Sequence, residues 1–250
     1  MTAALAMIRV TIRQLTGKKR TIGFALLGVL PAGLLLALSR AREIDGLDTD
    51  LGVLLVAPLF AFVIPITSVL MAGSALGDER RDKTLSFIVL RPIRRLSIVV
   101  SKTVAACFVS VGFALFSSVA LVLTYTAVGG SADVLPAIAI GAILTCVIYS
   151  SVFVLVGNVI SRSTVVGLIY VLFVENVLAQ ELPRLAAVSP WRVGLGATID
   201  LMPQGFPARA IFGAIGELIP SVQNAVVATV VVVIVTVSAC TLLLRRTDSV

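Results

Sequence analysis

Six long apolar segments divide this chain, and they constrain its fold more than any other feature of the sequence. A helix needs about 20 residues to cross the hydrocarbon core of a bilayer, and its backbone polar groups are then satisfied within the helix. The composition agrees, because 58% of the residues are hydrophobic. We therefore predict an all-α integral membrane protein in which residues 1–250 form one transmembrane domain. The predicted spans lie near residues 21–38, 51–76, 98–128, 134–160, 163–182 and 222–244.

The first 20 residues carry five basic side chains and no acidic one. Apolar side chains recur among them at helical spacing, at Ala4, Met7, Ile8, Ile12 and Leu15. This pattern predicts an amphipathic helix that lies on an anionic leaflet before the first span. A basic tail without regular structure is the alternative.

The basic residues are distributed unequally between the two sides of the predicted spans. Fifteen of the 20 Lys and Arg residues lie at the N-terminus, between residues 77 and 102, at Arg162 and next to the C-terminus. The loops on the other side hold five. Cytoplasmic loops are enriched in Lys and Arg, so both termini are predicted to face the cytoplasm, in the cytoplasmic (inner) membrane. The net charge of +7 is explained by this orientation and does not call for a nucleic-acid partner.

The longest predicted outer segment, residues 183–221, contains five prolines but also apolar runs. One run lies around Trp191, and the other is ARAIFGAIGELI at 208–219. The second is too short to span a bilayer. We expect short re-entrant or interfacial helices here, because irregular backbone at membrane depth is tolerated only when protein covers it.

A dense charged stretch, LGDERRDKTLSFIVLRPIRRLSIVVSKT at residues 76–103, separates the second and third spans. Leu85, Ile88 and Val89 fall on one helical face, and Pro92 marks a helix boundary. We predict a short amphipathic helix over residues 79–90 on the cytoplasmic side. A charged loop that only enforces topology would explain the arginines but not the apolar ridge, which suits docking into a groove on a partner.

This stretch resembles the permease family of type-2 ABC exporters, in which the form acid-x-x-x-G-T-L-x-x-L-L-x-x-P-x-x-R is common and a lysine follows at the next span. The sequence departs from that form at Lys83, where glycine is common. The six spans, the amphipathic N-terminus and the long outer segment extend the resemblance along the chain. The matching positions are Glu79, Thr84, Leu85, Ile88, Val89, Pro92, Arg95 and Lys102.

The resemblance implies that residues 79–90 form a coupling helix that rests on a separate ATP-binding subunit. It also implies two such ATPase subunits, a second permease half of the same or a different chain, and contact with membrane lipids. ATP and Mg²⁺ would be bound by the ATPase partner and no cofactor by this chain. The coupling residues would be Glu79, Arg80, Arg81, Thr84, Leu85, Ile88, Val89 and Pro92.

The chain itself offers no enzyme site. A P-loop needs G-x-x-x-x-G-K-[ST], and the nearest sequence, TGKKR at 16–20, has Lys19 where Ser or Thr is required. There is no histidine, and the three cysteines lie in apolar segments without metal-ligand spacing. We therefore predict no catalytic residue and no metal site. The family resemblance implies a transport subunit, which we expect to move a hydrophobic or amphipathic substrate by alternating access.

Glu175 and Asn176 lie within the predicted fifth span, where an acidic residue is costly. They are candidates for a substrate path, and an interhelical hydrogen bond is the alternative for Glu175. Glu175 also supports a different function, an ion-coupled carrier or channel. A neighbouring gene for an ATPase would favour the ABC exporter over that carrier.

Overall fold

A computed structural model describes residues 3–41, 56–82, 94–160, 162–178, 189–203 and 221–246 of the protein. The regular structure in these residues is helical throughout. π-Helical turns occur at two places: Leu59–Val63 lies within α3, and Tyr170–Leu178 continues directly from the end of α6. The main helices are α1 (Ala3–Leu15), α2 (Lys18–Ala41), α3 (Val56–Arg81), α4 (Arg95–Ala127), α5 (Leu135–Val159), α6 (Ser163–Ile169), α7 (Pro190–Leu201) and α8 (Val222–Arg246).

Five of these helices, α2, α3, α4, α5 and α8, are long and apolar enough to cross a membrane. They correspond to five of the six predicted spans, and the all-α membrane class is confirmed. The remaining predicted span, 163–182, is described only as far as Leu178, and its helical part is shorter than the other five. The count of six spans therefore stays a prediction.

Small residues allow α3, α5 and α6 to meet closely. A Cβ added to Gly157 on α5 would stand 2.9 Å from the Gly73 carbonyl oxygen and 3.2 Å from the Gly77 nitrogen, both on α3. At the start of α6, the Ser163 hydroxyl donates to the Gly73 carbonyl at 2.9 Å. The Gly73–Gly77 pair is therefore a helix-packing motif of the kind common in membranes, and Gly77 does not end its helix.

One end of the bundle gathers the parts of the chain that the basic residues assign to the cytoplasm. Arg20 at the start of α2 contacts Asp78 near the end of α3, and Glu79 contacts Lys102 in α4. Leu15 of α1 and Leu244 of α8 belong to one apolar cluster with Leu76 of α3. We call this end of the bundle the basic end.

The opposite end holds α7, which packs against the first half of α5. A Cβ on Gly194 would stand 1.7 Å from the Thr145 Oγ1 and 2.6 Å from the Gly141 carbonyl oxygen. Ala197 and Thr198 are fully buried. With 12 residues α7 is about 18 Å long, too short to cross a bilayer. It lies within the predicted outer segment, and its re-entrant or interfacial position stays a prediction, while residues 208–219 lie outside the described residues.

The second span ends later than predicted. The expected boundary was residue 76, with a separate helix beginning at residue 79. Instead α3 continues to Arg81, so Glu79, Arg80 and Arg81 form its last turn. Two contacts explain the extension: Gly77 is packed against α5 and Ser163, and Glu79 is paired with Lys102 of α4. Arg80 and Arg81 also suit a helix C-terminus, where the helix dipole favours positive charge.

Candidate functional site

The base of the charged segment is held by a buried ion pair between two spans. The Lys102 ammonium of α4 donates to a carboxylate oxygen of Glu79 on α3. The Lys102 side chain is 3% exposed and that of Glu79 is 12% exposed. Removing charges from water is costly, so a pair of this kind persists only when both partners are present. The contact fixes the end of α3 against the beginning of α4.

A second, exposed group of charges surrounds the buried pair. Arg20 contacts Asp78 at 3.3 Å and the Ser74 hydroxyl at 3.4 Å. Arg81 contacts Asp78 at 3.5 Å and Asp82 at 3.3 Å. Exposed pairs contribute at most about 1 kcal/mol each. This group therefore tethers α2 to α3 only weakly compared with the Lys102–Glu79 pair.

The two ends of the predicted coupling segment lie at the basic end of the bundle. Asp82, which follows α3, and Arg94, which precedes α4, are both exposed. Arg80 and Arg81 are exposed beside them. The other predicted coupling residues, Thr84, Leu85, Ile88, Val89 and Pro92, lie outside the described residues. Their helix and its apolar ridge stay predictions.

Glu175 lies at the centre of a buried polar cluster. Its side chain is 1% exposed and sits in the π-helical turns that follow α6. The Tyr149 hydroxyl of α5 donates to one carboxylate oxygen, and the Ser189 hydroxyl donates to the other at 3.1 Å. Tyr170 also interacts with this carboxylate. Such bonds are required for a buried carboxylate, because its desolvation would otherwise be very unfavourable.

The Glu175 cluster joins three elements that are distant in sequence. Tyr149 belongs to α5, Glu175 follows α6, and Ser189 directly precedes α7. This geometry corresponds to the interhelical contact weighed for Glu175, while its place on a substrate path stays a prediction. The side chain of Asn176 is outside the described part of the chain. π-Helical turns within an α-helix are frequent at functional sites. The Glu175 cluster therefore stays a candidate functional site.

Two partners of Glu175 were missed by sequence reasoning. Tyr149 reads as a membrane anchor or packing residue, yet it is fully buried and bonded to Glu175. Ser189 falls in the long predicted outer segment, yet it is only 4% exposed. A polar hydroxyl in the middle of an apolar span was the available signal for Tyr149. Nothing in the sequence around Ser189 marks its contact.

A comparison with protein-family models identifies this set of helices. The model of the ABC-2 family transporter protein matches residues 18–178, from the start of α2 to the π-helical turns that carry Glu175. The match covers more than half of the chain. The chain belongs to the ABC-2 transporter family. It is therefore a multi-pass membrane protein of the permease type, a transport component that in this family generally lacks an ATPase of its own.

The family match includes both candidate regions. It covers α3, the charged segment and Lys102, and it covers Tyr149 and Glu175. Helices α7 and α8 lie beyond it. None of the curated proteins compared with this chain gave a match.

Proposed function

We propose that this ABC-2 family protein is the membrane-spanning permease subunit of an ATP-driven exporter. It moves a hydrophobic or amphipathic substrate across the cytoplasmic membrane by alternating access. Separate ATPase subunits grip it through the segment 79–90. The observation that carries the proposal is the position of Asp82 and Arg94, the two described residues that flank positions 83–93, both exposed at the basic end of a bundle that matches the family.

The described contacts support a direct mechanical connection from this segment into the spans. The last turn of α3 is fixed to α4 by the Lys102–Glu79 pair, and α3 is packed tightly on α5 through Gly73, Gly77 and Gly157. Closely packed helices move as rigid bodies, so a displacement at the basic end is transmitted along them. Two ATPase subunits, which bind ATP and Mg²⁺, and a second permease half complete the transporter in this proposal.

The proposal requires the basic end to face the cytoplasm. Ser131, in the turn between α4 and α5, is exposed at the opposite end, and Arg162 is exposed before α6 at the basic end. In a variant whose native cysteines are replaced by alanine, Ser131→Cys is expected to react with an impermeant thiol reagent on intact cells. Arg162→Cys is expected to react only after the membrane is opened. Labelling with the opposite pattern would contradict the orientation.

Transport driven by ATP is the direct test of the function. Inside-out membrane vesicles that contain the protein and its ATPase partner are expected to accumulate an amphipathic dye only when ATP is supplied. Dissipating the ion gradients with an ionophore should leave that accumulation unchanged. Accumulation that needs an ion gradient but not ATP would contradict the proposal and favour the ion-coupled carrier.

Glu175→Gln separates the two functions further. The variant keeps acceptor and donor atoms for Tyr149 and Ser189 but loses the negative charge. In the same vesicles we expect ATP-driven accumulation of a neutral dye to stay near the wild-type rate, with a cationic dye lowered severalfold. Loss of transport of every dye, with the protein still inserted and folded, would indicate that Glu175 carries a coupling ion. Equal, unchanged rates for both dyes would restrict Glu175 to packing.

A further inference from the structure

A groove about 430 Å³ in volume opens between α1, α2 and α4. Its size is within the range of small-molecule sites in proteins, and its walls are almost wholly apolar. Three residues on successive turns of α4 form one wall. Phe108 and Phe116 are 67% and 47% exposed, and a Cβ on Gly112 between them would meet no atom within 4 Å. The full lining is Ile12, Thr16, Thr21, Ala25, Phe108, Val109, Gly112, Phe113 and Phe116.

The upper rim of this groove lies at the junction between α1 and α2. Thr16, directly after α1, and Thr21, in the first turn of α2, line the groove at this junction. Lys18 and Lys19 lie between them in the sequence, and both are exposed. Arg20 is turned toward Asp78 and Ser74 of α3. The groove therefore has an apolar floor that runs along two spans and a rim that carries positive charge. That combination is complementary to a molecule with an anionic head and a long apolar tail.

We propose that this groove is a binding site for an anionic phospholipid. The headgroup phosphate contacts Lys18 and Lys19, and an acyl chain lies along Phe108, Gly112 and Phe116. The direction agrees with a bilayer, because α1 has the pattern of an interfacial helix and α2 enters the membrane directly after the two lysines. The lipid fills the space that α1 leaves beneath it and links α1 to the spans α2 and α4.

The site offers a clean filling variant. Gly112→Leu places a side chain into the groove where the structure has open space, and it replaces glycine by a better helix former. Gly23→Leu is the matched control, since Gly23 is an exposed α2 glycine whose added Cβ also meets no atom within 4 Å and which does not line the groove. Lys18→Gln with Lys19→Gln removes the rim charge without entering the groove.

The test uses photo-reactive lipids and the full-length protein with any subunits that co-purify. The protein is reconstituted into vesicles that contain equal amounts of phosphatidylglycerol and phosphatidylcholine. In each of two preparations, one of these lipids carries a diazirine on its acyl chain. In the wild type, cross-links to residues 108–116 are expected to favour the phosphatidylglycerol probe severalfold. Residues 226–235 of α8, which include many exposed apolar side chains, serve as the internal reference and should take up both probes equally.

Each variant has a defined expected result. Gly112→Leu should reduce the phosphatidylglycerol yield at 108–116 to the phosphatidylcholine yield, and Gly23→Leu should change neither. Removing the two lysines should bring the phosphatidylglycerol yield close to the phosphatidylcholine yield and leave the latter unchanged, because each basic side chain near the surface strengthens binding of an anionic lipid by about fivefold. Equal yields of the two probes in the wild type would overturn the proposal, since the groove would then be ordinary lipid-facing surface. Labelling of 226–235 without labelling of 108–116 would also overturn it, because protein and not lipid would then cover the groove.

Discussion

Replacing Lys102 with methionine should destabilise the protein by about 3–5 kcal/mol, because it leaves the Glu79 carboxylate buried without its opposite charge. Both side chains are largely buried, with 3% of Lys102 and 12% of Glu79 exposed. Methionine has nearly the length of lysine, so little packing is lost. The free energy of unfolding is measured by denaturant titration in mixed micelles, with helicity as the signal.

The controls separate the loss of the counter-charge from other effects of the substitution. The double variant Lys102→Met with Glu79→Gln should recover most of the stability, because no buried charge remains. Arg20→Met, which breaks the exposed pair with Asp78, should cost no more than about 1 kcal/mol. If Lys102→Met costs no more than Arg20→Met, or if the double variant is as unstable as the single one, the pair is not what fixes α3 to α4.

Five long apolar helices and the helix at Ala3–Leu15 could be predicted because their signals are local, while the interfacial position of the latter stays a prediction. The apolar stripe at Ile12 and Leu15 and the long apolar runs need only helix geometry and the thickness of a bilayer to be interpreted. The structure has α1 at Ala3–Leu15 and five helices that match predicted spans.

The end of α3 could not be predicted, because it depends on partners elsewhere in the chain. A charged sequence after Gly77 indicates an exit from the membrane, and a new helix at residue 79 was the natural expectation. The burial of Glu79 requires Lys102, 23 residues later, to face it from another helix. No local sequence pattern predicts such a pairing, although Lys102 was one of the positions that carried the family resemblance.

In the Glu175 cluster, the acidic residue could be predicted from the sequence but its hydrogen-bond partners could not, for a similar reason. An acid in an apolar segment attracts attention, since it is costly there without partners. One of its partners, Ser189, depends on how α7 docks, and α7 approaches α5 through a close contact between Gly194 and Gly141. Neither glycine lies in a recognisable motif with the other. Long-range backbone approach of this kind is decided by tertiary packing alone.

The second large effect is expected at the coupling segment. Leu85→Asp with Ile88→Asp places two charges on the predicted apolar ridge, where buried anchors at an interface typically contribute 2 kcal/mol or more each. The spans should still insert, because both positions fall in the sequence between α3 and α4, outside the predicted spans. The control is Arg94→Ala, an exposed residue before α4 whose loss should have a small effect, as expected for a rim charge.

Co-purification of the ATPase subunit with these variants tests the central claim most directly. Each variant is expressed with an affinity tag, its amount in the membrane is equalised, and the ATPase retained with it is measured together with ATP-driven dye accumulation. The account predicts that the double aspartate variant retains less than about a tenth of the wild-type ATPase, as expected when two anchors of this size are lost, and transports nothing. Arg94→Ala should retain most of it. A double aspartate variant that binds the ATPase and transports at the wild-type level would contradict the account, and the segment 79–90 would then serve only to orient the chain in the membrane.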